Sequence, residues 1–214
     1  MRSNSAKVMT LNLIEQSDRY AVDLYALINA PSYDGGPRTV LSVFACSLSL
    51  EHWDAVRCLI RSRLLASAVS VYRAQFEGLV RSLWCLHAAT DMQVDKVLAE
   101  IRGDTGSGES SLPQTEELLL ELSARAPRQA SDAIKCFNRS SWEALNMYAH
   151  VGLHPMRRQV PGHPSDLLEL VLRSANGLAA IGGMHLAIAS GHQPLMGEVL
   201  HLSMVHASCL SPQP

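Results

Sequence analysis

Arg73, Glu77 and Arg81 stand four residues apart in "VYRAQFEGLVRSLW", 71–84. On a helix this spacing puts all three on one face, with Val69, Phe76, Val80 and Leu83 on the adjacent one. A carboxylate between two guanidiniums accepts from both and is held in one orientation. On an open surface such a ladder is worth only tenths of a kcal/mol per pair, roughly 0.3–0.5. Inside a bundle it would carry a desolvation cost, and function becomes the better reason for its presence.

A second stretch, "WEALNMYAHVGLHPMRR", 142–158, starts like a helix, breaks at Pro155 and ends in Arg157 and Arg158. If the helix continued through His154, His150 and His154 would share a face, as zinc ligands at H-x-x-x-H do. Gly152 and Pro155 interrupt that last turn, and no Glu lies between the histidines as H-E-x-x-H requires. A third ligand would have to come from His163, His185 or elsewhere. A histidine at a helix C-terminus, facing the dipole, is the commoner reason for such a residue. No metal and no cofactor are therefore expected. Nuclease chemistry of the R-x4-6-H type needs an Arg to steady a phosphate and a His to move protons. The spacing occurs at Arg81–His87 and at Arg157 or Arg158 with His163. The first lies within a helix with its ends on different faces, and the second is interrupted by Pro161-Gly162. Phosphate-binding Gly loops, G-x-S-x-G elbows and EF-hand loops do not occur. His185, His192, His201 and His206 are scattered over apolar helices and read as core-edge residues.

The elements that must position these residues are helical. Leu and Ala dominate the apolar set, and aromatic residues make up only 5%, a balance that favours helices over strands. Residues 8–29 have the periodicity of one helix face, and "PSYDGGP", 31–37, ends it. The run from Arg38 to Thr90 is too long for one helix, so two antiparallel helices are expected, broken near 62–67 or alternatively near 48–50. "GDTGSGESSLPQ", 103–114, is a polar loop. A short helix follows with Thr115 as N-cap, then helices over 128–150, about 165–190 and about 194–209. Three prolines keep 154–165 from being helical throughout. Ala175, Ala179, Gly183 and Ala187 form a small-residue stripe that lets a neighbouring helix approach closely. The expectation is an all-α, single-domain bundle of about six or seven helices spanning 1–214.

Net charge is −2 in 214 residues, so no global field draws the chain to nucleic acid or an anionic membrane, although a local basic patch is compatible with it. Cys46, Cys58, Cys85, Cys136 and Cys209 form no C-x-x-C pair and read as reduced core residues of a cytoplasmic protein. The N-terminus has no apolar block of signal-peptide length. The uncharged run at 174–197 is rich in Ala and Gly and reads as a buried helix, not a membrane span.

"SAVSVYRAQFEGLVRSLWCLHAATD", 67–91, followed by "LNMYAHVGLHPMRR", 145–158, resembles a set of uncharacterised bacterial all-helical proteins. Their pattern is an F-E-[AG]-x-[VL]-R helix, then W-x-x-x-A-T-D, then L-N-x-[YF]-[TAS]-H-x-G and a basic pair. The likeness runs from about residue 40 to 190. More widely, such proteins resemble the HEPN class (higher eukaryotes and prokaryotes nucleotide-binding), which includes ribonuclease toxins, phage-defence components and non-catalytic nucleotide- or RNA-binding bundles. The resemblance implies a site drawn from Arg73, Glu77 and Arg81 on one helix and Asn146, Tyr148, His150, Arg157 and Arg158 on the other segment. His150 would be the general acid/base, with Glu77 and Tyr148 orienting groups around it. Arg73, Arg81, Asn146, Arg157 and Arg158 would hold an RNA or nucleotide substrate. The resemblance also implies a homodimer with the site at its interface. This sequence departs from the nuclease pattern because no R-x4-6-H opens a helix. The alternative is a non-catalytic binding or assembly module in which the Arg/Glu/His set is a structural network.

Overall fold

The computed structural model describes residues 2–29, 35–104, 112–137 and 165–211. These contain eight α-helices and no strand: α1 (Arg2–Ile28), α2 (Pro37–Arg61), α3 (Leu65–His87), α4 (Asp91–Arg102), α5 (Thr115–Arg125), α6 (Arg128–Phe137), α7 (Ser165–Ala189) and α8 (Gln193–Val205), with a 3-10 turn at Ala207–Cys209. The expected turn at 31–37 is described only at its end, and the loop at 103–114 only at its two ends. The continuation of α6 to 150 and the proline segment before α7 lie outside the described residues.

The helix count exceeds the six or seven expected, and the element without a counterpart in the sequence reading is α4. Its signals are local. Thr90 and Gln93 form a reciprocal capping box, in which the Thr90 side chain accepts from the Gln93 N–H. Gly103, at φ 78, ends the helix in the left-handed region. The cap of α5 also differs from expectation: Gln114 is the N-cap and Thr115 the first helical residue, because Gln114 and Glu117 close the capping box.

The break between α2 and α3 falls at Ser62–Leu64, within the expected window. Leu64 N–H donates to Leu59 O and Arg63 N–H to Ile60 O, the paired bonds of a Schellman turn. Arg63 takes the left-handed position at φ 59 that glycine usually fills. No glycine marks the turn in the sequence for that reason. The hairpin it makes is antiparallel and in constant register: Ser42 Oγ donates to Ser82 O at 2.8 Å and Ser49 Oγ to Gln75 O at 2.7 Å. At the far end Arg38 donates to Cys85 O and Ala89 O, and Arg125 donates to Ala88 O. Guanidiniums thus satisfy the carbonyls that α3 leaves open at its C-terminus.

Gly78 lets the hairpin close. A Cβ there would meet Ser49 Cα and Cβ at 3.3 Å and Ala45 O at 3.4 Å, two of them backbone atoms that cannot swing away. Gly78→Val is expected to cost about 2–3 kcal/mol by overpacking. Gly78→Ala should stay within about 1 kcal/mol of wild type, because alanine's helix propensity offsets the tighter contact. Urea unfolding of the two variants checks this; equal losses would mean that the crossing is not what glycine is for.

α7 runs antiparallel to α2 and parallel to α1 and α3. Trp53 Nε1 donates to Asn176 Oδ1 at 2.9 Å, and Gln75 Nε2 donates to Ala175 O at 2.9 Å. Ala175, Ala179, Gly183 and Ala187 are all buried, as the small-residue stripe implied. Leu24 of α1 presses onto it, and a Cβ on Gly183 would lie 2.7 Å from Leu24 Cδ1. One contiguous apolar core takes residues from all eight helices, with Trp53, Trp84, Tyr20, Tyr72 and Phe76 its largest fully buried side chains. Among the described residues no helix is long and apolar enough to cross a membrane.

Candidate functional site

The α3 ladder forms as its spacing implied. Arg73 Nε donates to Glu77 Oε1 at 2.9 Å, and an Arg81 terminal nitrogen donates to Glu77 Oε2 at 3.4 Å. The helix is amphipathic, and the residues between the three belong to the core: Gln75, Phe76, Gly78, Leu79 and Val80 are buried. The ladder therefore sits at the core's margin. Its side chains are 35%, 21% and 34% exposed for Arg73, Glu77 and Arg81, which is neither bulk solvent nor interior. Each Glu77 oxygen receives a guanidinium, so the carboxylate orients two cations. Arg81 Nε is buried without a hydrogen-bond partner, an N–H donor whose desolvation a bound acceptor would offset. The three groups together carry one net positive charge.

Asn146, Tyr148, His150, Arg157 and Arg158 lie outside the described residues, as do His154 and His163. The structure therefore places the α3 half of the expected site and not its partner half. Arg81 and His87, one of the R-x4-6-H matches, do not face a common point. Arg81 joins the Glu77 ladder, whereas His87 packs edge-on against His185 with ring centres 5.9 Å apart.

Two polar clusters of the interior were not anticipated as such. In the first, His185 Nε2 lies 2.6 Å from Ser42 Oγ, and the Ser42 hydroxyl donates to the Ser82 carbonyl. Ser42, Ser82 and His185 are essentially inaccessible to solvent. With its own proton committed to Ser82, Ser42 Oγ accepts from His185 Nε2–H, and this bond sets the tautomer. Burial, with His87 alongside, pushes the His185 imidazole down to about 3, so it is neutral. Burial lowers His87 as well. The second cluster centres on Asn176, whose amide accepts from Trp53 and donates to Ser17 Oγ and Cys209 O, both at 2.8 Å. Ser42, Ser49, Gln75 and Ser82 on otherwise apolar helix faces were the signal for interior polar ties; their partners were not readable.

The remaining histidines divide differently from the core-edge expectation. His185 is fully buried, His206 is partly buried and lies 2.9 Å from Asp23, and His192 and His201 are exposed. Of the cysteines, Cys46, Cys85 and Cys209 are buried and free, and burial pushes their thiols up to about 12, 11 and 11. They are inert packing residues. Cys58 corrects the expectation: it is exposed on α2. No group of three or more His, Cys, Asp or Glu side chains among the described residues is placed to hold a metal ion.

No curated protein and no solved structure matches the chain. A family described as one of unknown function, DUF6988, matches residues 46–212, from within α2 to beyond the 3-10 turn that follows α8. That match extends past the region of resemblance noted in the sequence and covers most of the chain, so this all-helical protein belongs to the DUF6988 family.

Proposed function

We propose that this protein is a bacterial, cytoplasmic, HEPN-like helical bundle directed at RNA or a nucleotide, acting as a defence-associated ribonuclease. The observation that supports this reading is the α3 ladder: two guanidiniums held in place by one carboxylate, at the margin of the core, with Arg81 Nε lacking an acceptor. Planar guanidiniums in fixed orientation suit phosphate oxygens. In this reading Arg73, Arg81, Arg157 and Arg158 hold the phosphate, with Asn146 beside them. His150 is the general acid/base, and Glu77 and Tyr148 orient the reacting groups. HEPN-like proteins pair across such a site, so the chain is a homodimer in this reading. Phe44 and Leu48, an exposed apolar pair one turn apart on α2, are compatible with such pairing.

The test is incubation of purified protein with total RNA beside His150→Ala. Cleavage by wild type and not by the variant is expected. Equal cleavage by both, or none by either, removes the catalytic role. Binding is measured separately, by anisotropy of a labelled single-stranded RNA across a salt series. Arg73→Ala and Arg81→Ala should each lower the slope of log affinity against log salt by roughly 0.7.

The second reading is a non-catalytic binding or assembly module in which the Arg/Glu/His set is structural. The saturation of both Glu77 oxygens by arginines favours it. In that case Glu77→Ala lowers the melting temperature by several degrees and RNA has no effect on it, whereas an active-site role predicts little loss or a gain.

A further inference from the structure

A cavity of about 570 Å³ lies between α3, α6, α7 and α8, away from the arginine ladder and independent of its function. Its volume is that of sites for small organic molecules. The walls are apolar and adaptable: Leu83, Ala133, Ile181, Met184, Ile188 and Met204 line it, and methionine reshapes easily around different occupants. Ile188, Leu200 and Met204 line it while remaining exposed. Three large apolar side chains left in water around one concavity are the surface signature of an apolar partner.

The cavity has one buried polar terminus. His185 lines it, is almost wholly inaccessible, and its Nδ1 has no hydrogen-bond partner. The bond from Nε2–H to Ser42 Oγ leaves Nδ1 as a lone pair, because a neutral imidazole carries one proton. An acceptor buried without a partner is costly, and the group that relieves it must be a donor. A carboxylate or phosphate cannot serve, since each would set a lone pair against a lone pair. An ammonium would enter an apolar space with no carboxylate among its lining residues.

We propose that this cavity binds a neutral, largely apolar small molecule through a single hydroxyl or amide N–H donor, which it places on His185 Nδ1. The Ser82 carbonyl, Ser42 hydroxyl and His185 imidazole form a relay that holds the accepting nitrogen toward the ligand. Ser42 is the positioning residue, because it fixes the tautomer.

The test uses two isomers of equal size, 1-decanol and 1-methoxynonane, which differ in that only the alcohol donates. Titration calorimetry with the full-length protein is expected to show decanol binding at least tenfold more tightly than the ether. Long-range proton–nitrogen spectra should show the His185 Nδ1 resonance moving upfield with decanol and not with the ether. Ala180→Trp, which fills the cavity from α7, is expected to abolish binding of both. In His185→Phe the two isomers should bind equally. Should that variant not fold, the comparison of isomers on wild type with the nitrogen spectrum decides the matter. Equal affinity of the isomers for wild type, no binding of either, or an unmoved Nδ1 resonance would overturn the proposal and leave His185 a structural residue.

Discussion

Lowering the pH from 7 to 5 is expected to cost this protein about 2 kcal/mol of folding stability through His185 alone. Burial lowers the His185 imidazole from an ordinary 6.5 to about 3 in the folded state. The unfolded chain therefore binds a proton as the pH falls through 6.5, and the folded chain does not until about 3. Protons favour the unfolded state throughout that window. Stability is lost on acidification at up to about 1.4 kcal/mol per pH unit, and the full interval amounts to about 5 kcal/mol. His87 is shifted in the same direction and adds to the loss. The geometry explains why the shift is large: one ring nitrogen is bonded to a serine whose own proton is committed, and the other has only apolar walls and His87 beside it. Urea unfolding at pH 7 and pH 5, for wild type and His185→Gln, measures the effect. Glutamine can still donate to Ser42 and does not titrate, so the pH dependence should shrink by about 2 kcal/mol in the variant. An unchanged dependence would mean that His185 is protonated, or accessible, in the folded protein.

Asn176→Leu is expected to destabilise the fold by about 2–5 kcal/mol, although the side chains are of similar size. Asn176 accepts from Trp53 of α2 and donates to Ser17 of α1 and to the Cys209 carbonyl of the C-terminal turn, and it is itself fully buried. Removing the amide leaves the Trp53 N–H and the Cys209 carbonyl unpaired in the interior, each costing about 1–3 kcal/mol. Ser17 is spared, because its hydroxyl also donates to Leu13 O. A protein of this size loses roughly 2–4 °C of melting temperature per kcal/mol, so a fall of about 5–15 °C should be seen. Trp53→Phe deletes one bond and leaves two, and should cost less. A loss from Asn176→Leu below about 1 kcal/mol would mean that water replaces the amide and the network does not hold the helices together.

Much of the helical layout was legible because helices are written locally. Periodicity marked α1, α7 and α8, and the sheer length of 38–90 demanded a break, which the structure puts at Arg63. The omission of α4 was avoidable, since Thr90, Gln93 and Gly103 are local start and stop signals. The α3 ladder was equally legible, as its partners lie four residues apart on one helix. His185 was not. Its chemistry depends on Ser42, 143 residues away, on the Ser82 carbonyl and on the edge of His87. The sequence marks it only as one more histidine on an apolar helix.

The sequence by itself therefore determined which segments are helical, where most of them stop, and which polar groups meet along a single helix. Hydrogen bonds between residues i and i+4, caps and turn residues act within a few positions, so their outcome is contained in those positions. Only the tertiary structure decided which histidine is buried and neutral, which amide ties three elements together, and where a cavity remains between four helices. Those outcomes depend on the axial register and rotation of one helix against another, which the packing of the whole core sets at once.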